Sequence, residues 1–148
     1  MKMVIQRVKH ASVSVNDVIV AKIDLGLLIL VAYTHTDIQT DIEKWVKKVV
    51  QMRIFDDEQG KMNLSVQDVK GDILLVSQFT LYADTRKGNR PSYIQAAPPE
   101  IAIPLYEKTV TLFEANLQKP IEKGIFGADM KVMLLNDGPV TIVLDSQV

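Results

Sequence analysis

The amino-acid sequence predicts a mixed α/β fold in one domain covering residues 1–148, on three observations. Apolar segments of strand length recur between turn-forming pairs. Two longer segments instead carry their apolar residues at helical spacing. A chain of 148 residues that is 47% hydrophobic and 24% charged suits a single core of useful size.

Taken in order, residues 1–8 alternate Met3 and Ile5 with Lys2 and Gln6, and residues 11–15 alternate again. The pair Asn16-Asp17 then turns the chain, and residues 18–23 return, which predicts a β-hairpin. Residues 27–31 form an unbroken aliphatic run, expected as a central strand covered on both faces. A helix is expected to begin within residues 36–40, because Ile42, Trp45, Val46, Val49 and Val50 follow at i, i+3, i+4, i+7 and i+8. Lys44, Lys47 and Lys48 fall on its other side and read as a solvated face.

The acidic stretch Asp56-Asp57-Glu58-Gln59-Gly60 lacks the alternating ligands and terminal bidentate Glu of a calcium loop, so it is read as a turn without metal. Residues 61–66 make a short strand candidate. After Gly71-Asp72, the run Ile73-Leu74-Leu75-Val76 predicts a buried strand, and it closes on Ser77-Gln78-Phe79-Thr80. Residues 83–97 are aperiodic and carry Arg86, Lys87 and Arg90, three cations within five residues. From Pro99, the residues Ile103, Tyr106, Val110, Phe113 and Leu117 keep helical spacing. Pro104 is tolerable only in a first turn, so this helix is expected to begin later than its pattern suggests. Residues 130–135 read as a strand, Asn136-Asp137-Gly138-Pro139 as a turn, and residues 140–144 as the returning last strand.

Composition narrows the function. No apolar run is long enough for a membrane span, and the alternating start, unlike a signal peptide, leads to the expectation that the mature chain begins at Met1. The absence of cysteine removes disulfides, thiolate nucleophiles and Cys-ligated metals, and suits a cytoplasmic location. A net charge of −1 argues against a general nucleic-acid coat. No phosphate-binding glycine loop, paired metal histidines or Gly-x-Ser-x-Gly elbow is present. His10 and His35 are isolated, which gives poor support to a Ser-His-Asp triad.

What remains is polar chemistry in apolar surroundings at residues 77–80 and 136–141. Leaving one buried hydroxyl or amide without a partner costs about 1–3 kcal/mol, so these residues need a structural or functional reason. In a straight strand Ser77 and Phe79 face one way while Gln78 and Thr80 face the other. Ser77 and Thr80 share one pocket only if the strand bulges or ends near Phe79. A strand ending there frees backbone N–H groups able to hold an oxyanion without a charged side chain.

Ser77-Gln78-Phe79-Thr80-Leu81 and Asn136-Asp137-Gly138-Pro139-Val140-Thr141 resemble the two signature motifs of the D-aminoacyl-tRNA deacylases. Ile5-Gln6-Arg7-Val8, Ala11-Ser12-Val13, Arg53-Ile54-Phe55, Gly60-Lys61-Met62-Asn63, Lys87-Gly88 and Arg90-Pro91-Ser92 are similar to the family as well, in its order and approximate spacing. Ala32 in place of a usual glycine, Tyr93 in place of a common phenylalanine, and Pro104 inside a helix depart from its pattern.

The resemblance implies a three-layer β/β/α arrangement, two packed sheets with helices on one side, and a homodimer with active sites at its interface. It implies hydrolysis of the ester joining a D-amino acid, or glycine, to the 3′-terminal adenosine of tRNA, with L-aminoacyl-tRNA spared. Ser77, Gln78, Phe79 and Thr80 would form the pocket floor. Gly138 and Pro139, through a cis peptide bond, would reach in from the partner subunit to read chirality, with Arg7 and Asn136 in support. Phe126 and Met130 would line the adenosine pocket, and Arg86, Lys87 and Arg90 become candidate contacts to the tRNA backbone. No cofactor, metal, membrane or DNA partner is expected. The rival readings are a general Ser/Thr esterase or peptidase and a non-catalytic RNA-binding module.

Overall fold

The computed structural model describes residues 1–147. The first strand, β1 (Lys2–Val15), is continuous and turns at Asn16-Asp17 into β2 (Val18–Ile23). Both turn residues adopt positive φ, 49° and 62°, the left-handed geometry of a tight two-residue hairpin that Asn and Asp tolerate. β3 (Gly26–Ala32) pairs antiparallel with the first half of β1, and β6 (Asp72–Ser77) lies parallel beside β3. Between them come helix α1 (Gln39–Val50) and a small hairpin of β4 (Phe55–Asp56) and β5 (Met62–Leu64). In the acidic turn joining those two, the Asp57 side chain accepts the N–H groups of Gln59 and Lys61, and Gly60 takes positive φ. Helix α2 (Pro99–Leu117), β7 (Glu122–Lys123) and β8 (Lys131–Asp145) complete the chain. The large sheet runs β2-β1-β3-β6-β7, with β8 on the other edge of β1.

Side-chain alternation builds two cores from one sheet. Leu27, Ile29, Val31, Ile73 and Leu75 face α1 and α2, meeting Ile42, Val46, Val49, Tyr106, Val110 and Phe113. Leu28, Leu74 and Val76 face the opposite way, where Ala11, Val13, Ala21 and Ile23 cover them. The far half of β1 with β2 is therefore folded across the back of β3 and β6. One bent sheet supplies two layers and the helices supply the third. A register shift at Val8/His10 lets β1 serve both cores: Met3 and Ile5 face the helices, whereas Val8, Ala11 and Val13 all face the second core. An inserted residue re-aims a strand in this way.

Three expectations need correction. Residues 136–139 do not reverse the chain. β8 is one 15-residue strand lying along β1 on both sides of them, and residues 137–140 bulge out between the pairs Val8↔Asn136 and Gln6↔Thr141. Turn composition marks a departure from ladder geometry without specifying that the chain doubles back. Second, α2 starts at Pro99 and Pro104 sits inside it. The carbonyl that loses its donor belongs to Glu100, which is exposed, so the break falls on the water side. Third, Ile103 is 41% exposed; the buried stripe runs through Ala102, Leu105, Tyr106, Thr109, Val110 and Phe113. Among the described residues no helix is long and apolar enough to cross a membrane.

Candidate active site

β6 stops at Ser77 because Gln78 leaves sheet geometry, with φ −147° and ψ 78°, and the chain enters a single 3-10 turn at Phe79–Tyr82. The Gln78 N–H still reaches the Val31 carbonyl at 2.8 Å, which is the last bond of the parallel ladder. Beyond it, the Phe79 and Thr80 N–H groups have no protein acceptor among the described residues. The first donors of a helical turn are left without intrahelical partners, and here no side chain caps them. The two-residue alternation ends with the strand, so Ser77 and Thr80 are no longer forced onto opposite faces.

This strand end opens on a cleft of about 600 Å³. Ser77, Gln78, Phe79 and Tyr93 line one side, Phe126, Gly127, Ala128 and Met130 the other, and Val31, Val76 and Ala102 its apolar depth. The Phe79 ring stands edge-on to Tyr93 at 5.2 Å, and the Phe126 ring edge-on to Tyr106 at 5.7 Å. Ala32, where a glycine was expected, is buried and also lines the cleft. Thr80 lies outside the lining, and its hydroxyl accepts a 2.6 Å hydrogen bond from the Gln78 amide.

The cleft is poor in ionisable groups. Its lining carboxylate, Asp129, is exposed and paired with Lys131 at 2.9 Å. Among the described residues, no histidine or carboxylate hydrogen-bonds Ser77 or Thr80. His35 Nε2 instead meets the Ile94 carbonyl at 3.1 Å, and His10 is exposed where β1 pairs with β8.

The second motif is held by partners distant in sequence. Arg7, only 5% exposed, donates from Nε to the Asp137 carbonyl and from Nη1 to the Ile54 carbonyl, both at 2.8 Å. Its charge also lies 3.4 Å from Asp56 and 3.8 Å from the Asp137 carboxylate. Asn136 spans the bulge: its Oδ1 accepts the Val140 N–H at 2.8 Å, and its Nδ2 donates to Thr141 Oγ1 at 3.1 Å. The Gly138-Pro139 peptide bond is cis, and both residues are exposed. Within one chain they do not join residues 77–80. The bulge sits level with Arg7, whereas Ser77 is level with Met3 through Val31, a separation of about 13 Å along the strands.

In the basic loop, Arg86 is tied by its fork to Asp84, Nε to Oδ1 at 2.9 Å and Nη2 to Oδ2 at 2.6 Å. These bonds hold the Asp84 carboxyl well below the usual carboxylate range. Asp84 also pairs through its backbone with Ser92, closing the loop. All three cations of the loop are exposed; Arg86 is paired with Asp84, whereas Lys87 and Arg90 make no ion pair among the described residues. In sequence, Tyr93 is marked only by standing where a phenylalanine is common, and Tyr106 only by its helical spacing. Tyr93 lines the cleft and Tyr106 packs behind its Phe126, and the aromatic partners that place them there are distant in sequence and leave no local signal.

A family model described as D-Tyr-tRNA(Tyr) deacylase matches residues 4–145. A D-aminoacyl-tRNA deacylase of Flavobacterium psychrophilum is 58% identical over 147 residues, covering 99% of this chain and 98% of that protein. One from Parabacteroides distasonis is 54% identical with the same coverage. Among solved structures, a c-Myc DNA Unwinding Element Binding Protein superposes with a TM-score of 0.93 at 40% identity, over 99% of both chains. A probable eukaryotic D-amino acid tRNA deacylase shares the fold, with a TM-score of 0.83 at 16% identity over 97% of both. With both motifs in place and the match running nearly end to end, the chain belongs to the D-Tyr-tRNA(Tyr) deacylase family.

Proposed function

We propose that the chain, acting as one domain, hydrolyses the ester between a D-amino acid and the 3′-terminal adenosine of tRNA and leaves L-aminoacyl-tRNA intact. The observation that carries this reading is the pair of unpartnered N–H groups of Phe79 and Thr80 in the turn that directly follows Ser77 and Gln78 of an apolar cleft, with no acid-base pair at Ser77 or Thr80 among the described residues. Attack of water on the ester carbonyl puts negative charge on its oxygen, and fixed N–H donors stabilise that charge most in the transition state. The carbonyl carbon gains the water oxygen, its bond to the ribose 3′-oxygen breaks, and the 3′-oxygen leaves with a proton. Thr80 positions substrate or water, since its hydroxyl is held by Gln78 and no base stands beside it. The 2′-hydroxyl of the terminal adenosine assists, while Ser77 and Gln78 support the ester and Phe126 and Met130 flank the adenosine.

Chirality is read by Gly138 and Pro139 of a second copy, whose carbonyls take the substrate amino group and fill the space an L side chain needs. Glycine, lacking a side chain, is accepted. Exposure of the bulge and its roughly 13 Å offset from Ser77 support delivery by a partner. The outer edge of β8 supports a homodimer, because among the described residues this long strand pairs only with β1, and it exposes Met133, Leu135 and Val143. Lys87 and Arg90 meet the tRNA backbone, and the reaction, which takes place in the cytoplasm, needs no cofactor or metal.

The test is a time course of D-Tyr-tRNA against L-Tyr-tRNA with purified wild type and with a His10→Ala/His35→Ala variant. Rapid hydrolysis of the D form alone, unchanged in the variant, is expected. Hydrolysis of the L form overturns the chiral reading, and loss of chemistry in the variant returns the triad esterase.

A further inference from the structure

We propose that Tyr106 is a positioning residue that sets the spacing between the two walls of the cleft, an inference that rests on the deacylase reading. Tyr106 is 2% exposed and follows Ala102, which lines the cleft, by one turn of α2. Its hydroxyl donates to the Leu75 carbonyl at 3.0 Å, and Leu75 lies two residues before Ser77 on the strand that ends in the floor. The Gly124 N–H donates to that same carbonyl at 3.0 Å, and Gly124 begins the segment that carries Phe126 and Met130. The Tyr106 ring meets Phe126 edge-on. One side chain thus touches both the strand presenting the oxyanion donors and the wall assigned to adenosine.

Helix packing alone does not require the hydroxyl. The Leu75 carbonyl already has Gly124 as a donor, and a phenylalanine ring fills the same apolar space. The hydroxyl instead fixes how far α2 and the Phe126 segment stand from β6. Burial raises the phenol above its ordinary range, which favours the neutral, donating form. Backbone donors act on a developing oxyanion only within hydrogen-bond distance, and a misplacement of about 1 Å costs on the order of 100-fold in rate.

The test compares kcat and KM on D-Tyr-tRNA, together with Tm, for wild type, Tyr106→Phe, Tyr106→Leu and Phe113→Leu. Tyr106→Phe keeps the ring on Phe126 and deletes the hydroxyl alone; kcat falls about tenfold while KM stays within about twofold. Tyr106→Leu also loses the ring contact and raises KM. Phe113→Leu, deep in the same helix interface, lowers Tm and leaves kcat unchanged. Wild-type kcat in Tyr106→Phe overturns the proposal, as does a fall in kcat that Phe113→Leu reproduces at equal loss of Tm. A wild type inactive on D-Tyr-tRNA removes the deacylase reading itself, and with it this role. An active wild type with an unaffected Tyr106→Phe removes only the role.

Discussion

Residues 77–80 and residues 136–141 each interrupt a strand of the same large sheet, yet the interruptions differ in kind. At the first, β6 simply ends, and the Phe79 and Thr80 donors are left over where the ladder stops. At the second, β8 continues on both sides, and the extra residues are pushed out and held by Arg7 from β1 and by Asn136 from within. The first forms part of a concave cleft, whereas the second projects its Gly138-Pro139 tip into solvent. Within one chain the two stay separate, and the proposed dimer is what would bring the protrusion of one copy to the cleft of another.

Arg7→Ala breaks that contrast most strongly. It strips the donors from the Asp137 and Ile54 carbonyls at a buried position, which is expected to cost about 2–4 kcal/mol in urea unfolding. Because the bulge loses its anchor while the floor keeps its own, D-aminoacyl-tRNA hydrolysis should fall by about 100-fold or more even in protein that remains folded. Full activity in folded Arg7→Ala would separate the bulge from the chemistry.

Gly138→Ala sharpens the contrast with a smaller effect on stability. Gly138 has φ +135°, and an added Cβ would lie 2.8 Å from Val140 Cγ2 and 3.1 Å from Arg7 Nη2. Strain of about 1–3 kcal/mol is expected in unfolding experiments, with hydrolysis lowered by about 100-fold in single-turnover assays. The cleft itself is untouched, so adenosine monophosphate should bind as to wild type.

The smallest effect is expected at the basic loop, away from both motifs. The Asp84 carboxyl is held low chiefly by its hydrogen bonds to Arg86, so the contribution of this pair is present above the ordinary aspartate value and lost as pH falls through the depressed one. Asp84→Asn should therefore be slightly less stable than wild type at pH 7, with the difference shrinking below about pH 4. Urea midpoints across that range check it. Because the same change releases Arg86, tRNA binding should also steepen in its salt dependence.

Local pattern was enough to read much of this molecule. The Asn16-Asp17 hairpin, the twice-covered β3, the apolar face of α1 and the buried run into Ser77 follow from side-chain periodicity and turn chemistry, which act over a few residues. The polar close of the apolar run left open whether the strand runs straight, bulges or ends near Phe79, and the structure ends it at Ser77. Both motifs were visible as residues. Tertiary structure decided what pairing across the chain controls. It made β8 one strand along β1 and turned residues 137–140 into a bulge. It gave Arg7 two carbonyls 47 and 130 residues away, and brought Tyr106 to Leu75 across 31 residues. A hydrogen bond between distant residues leaves no periodicity in either segment, so the path of β8 and the supports of the cleft emerge only when the sheet closes.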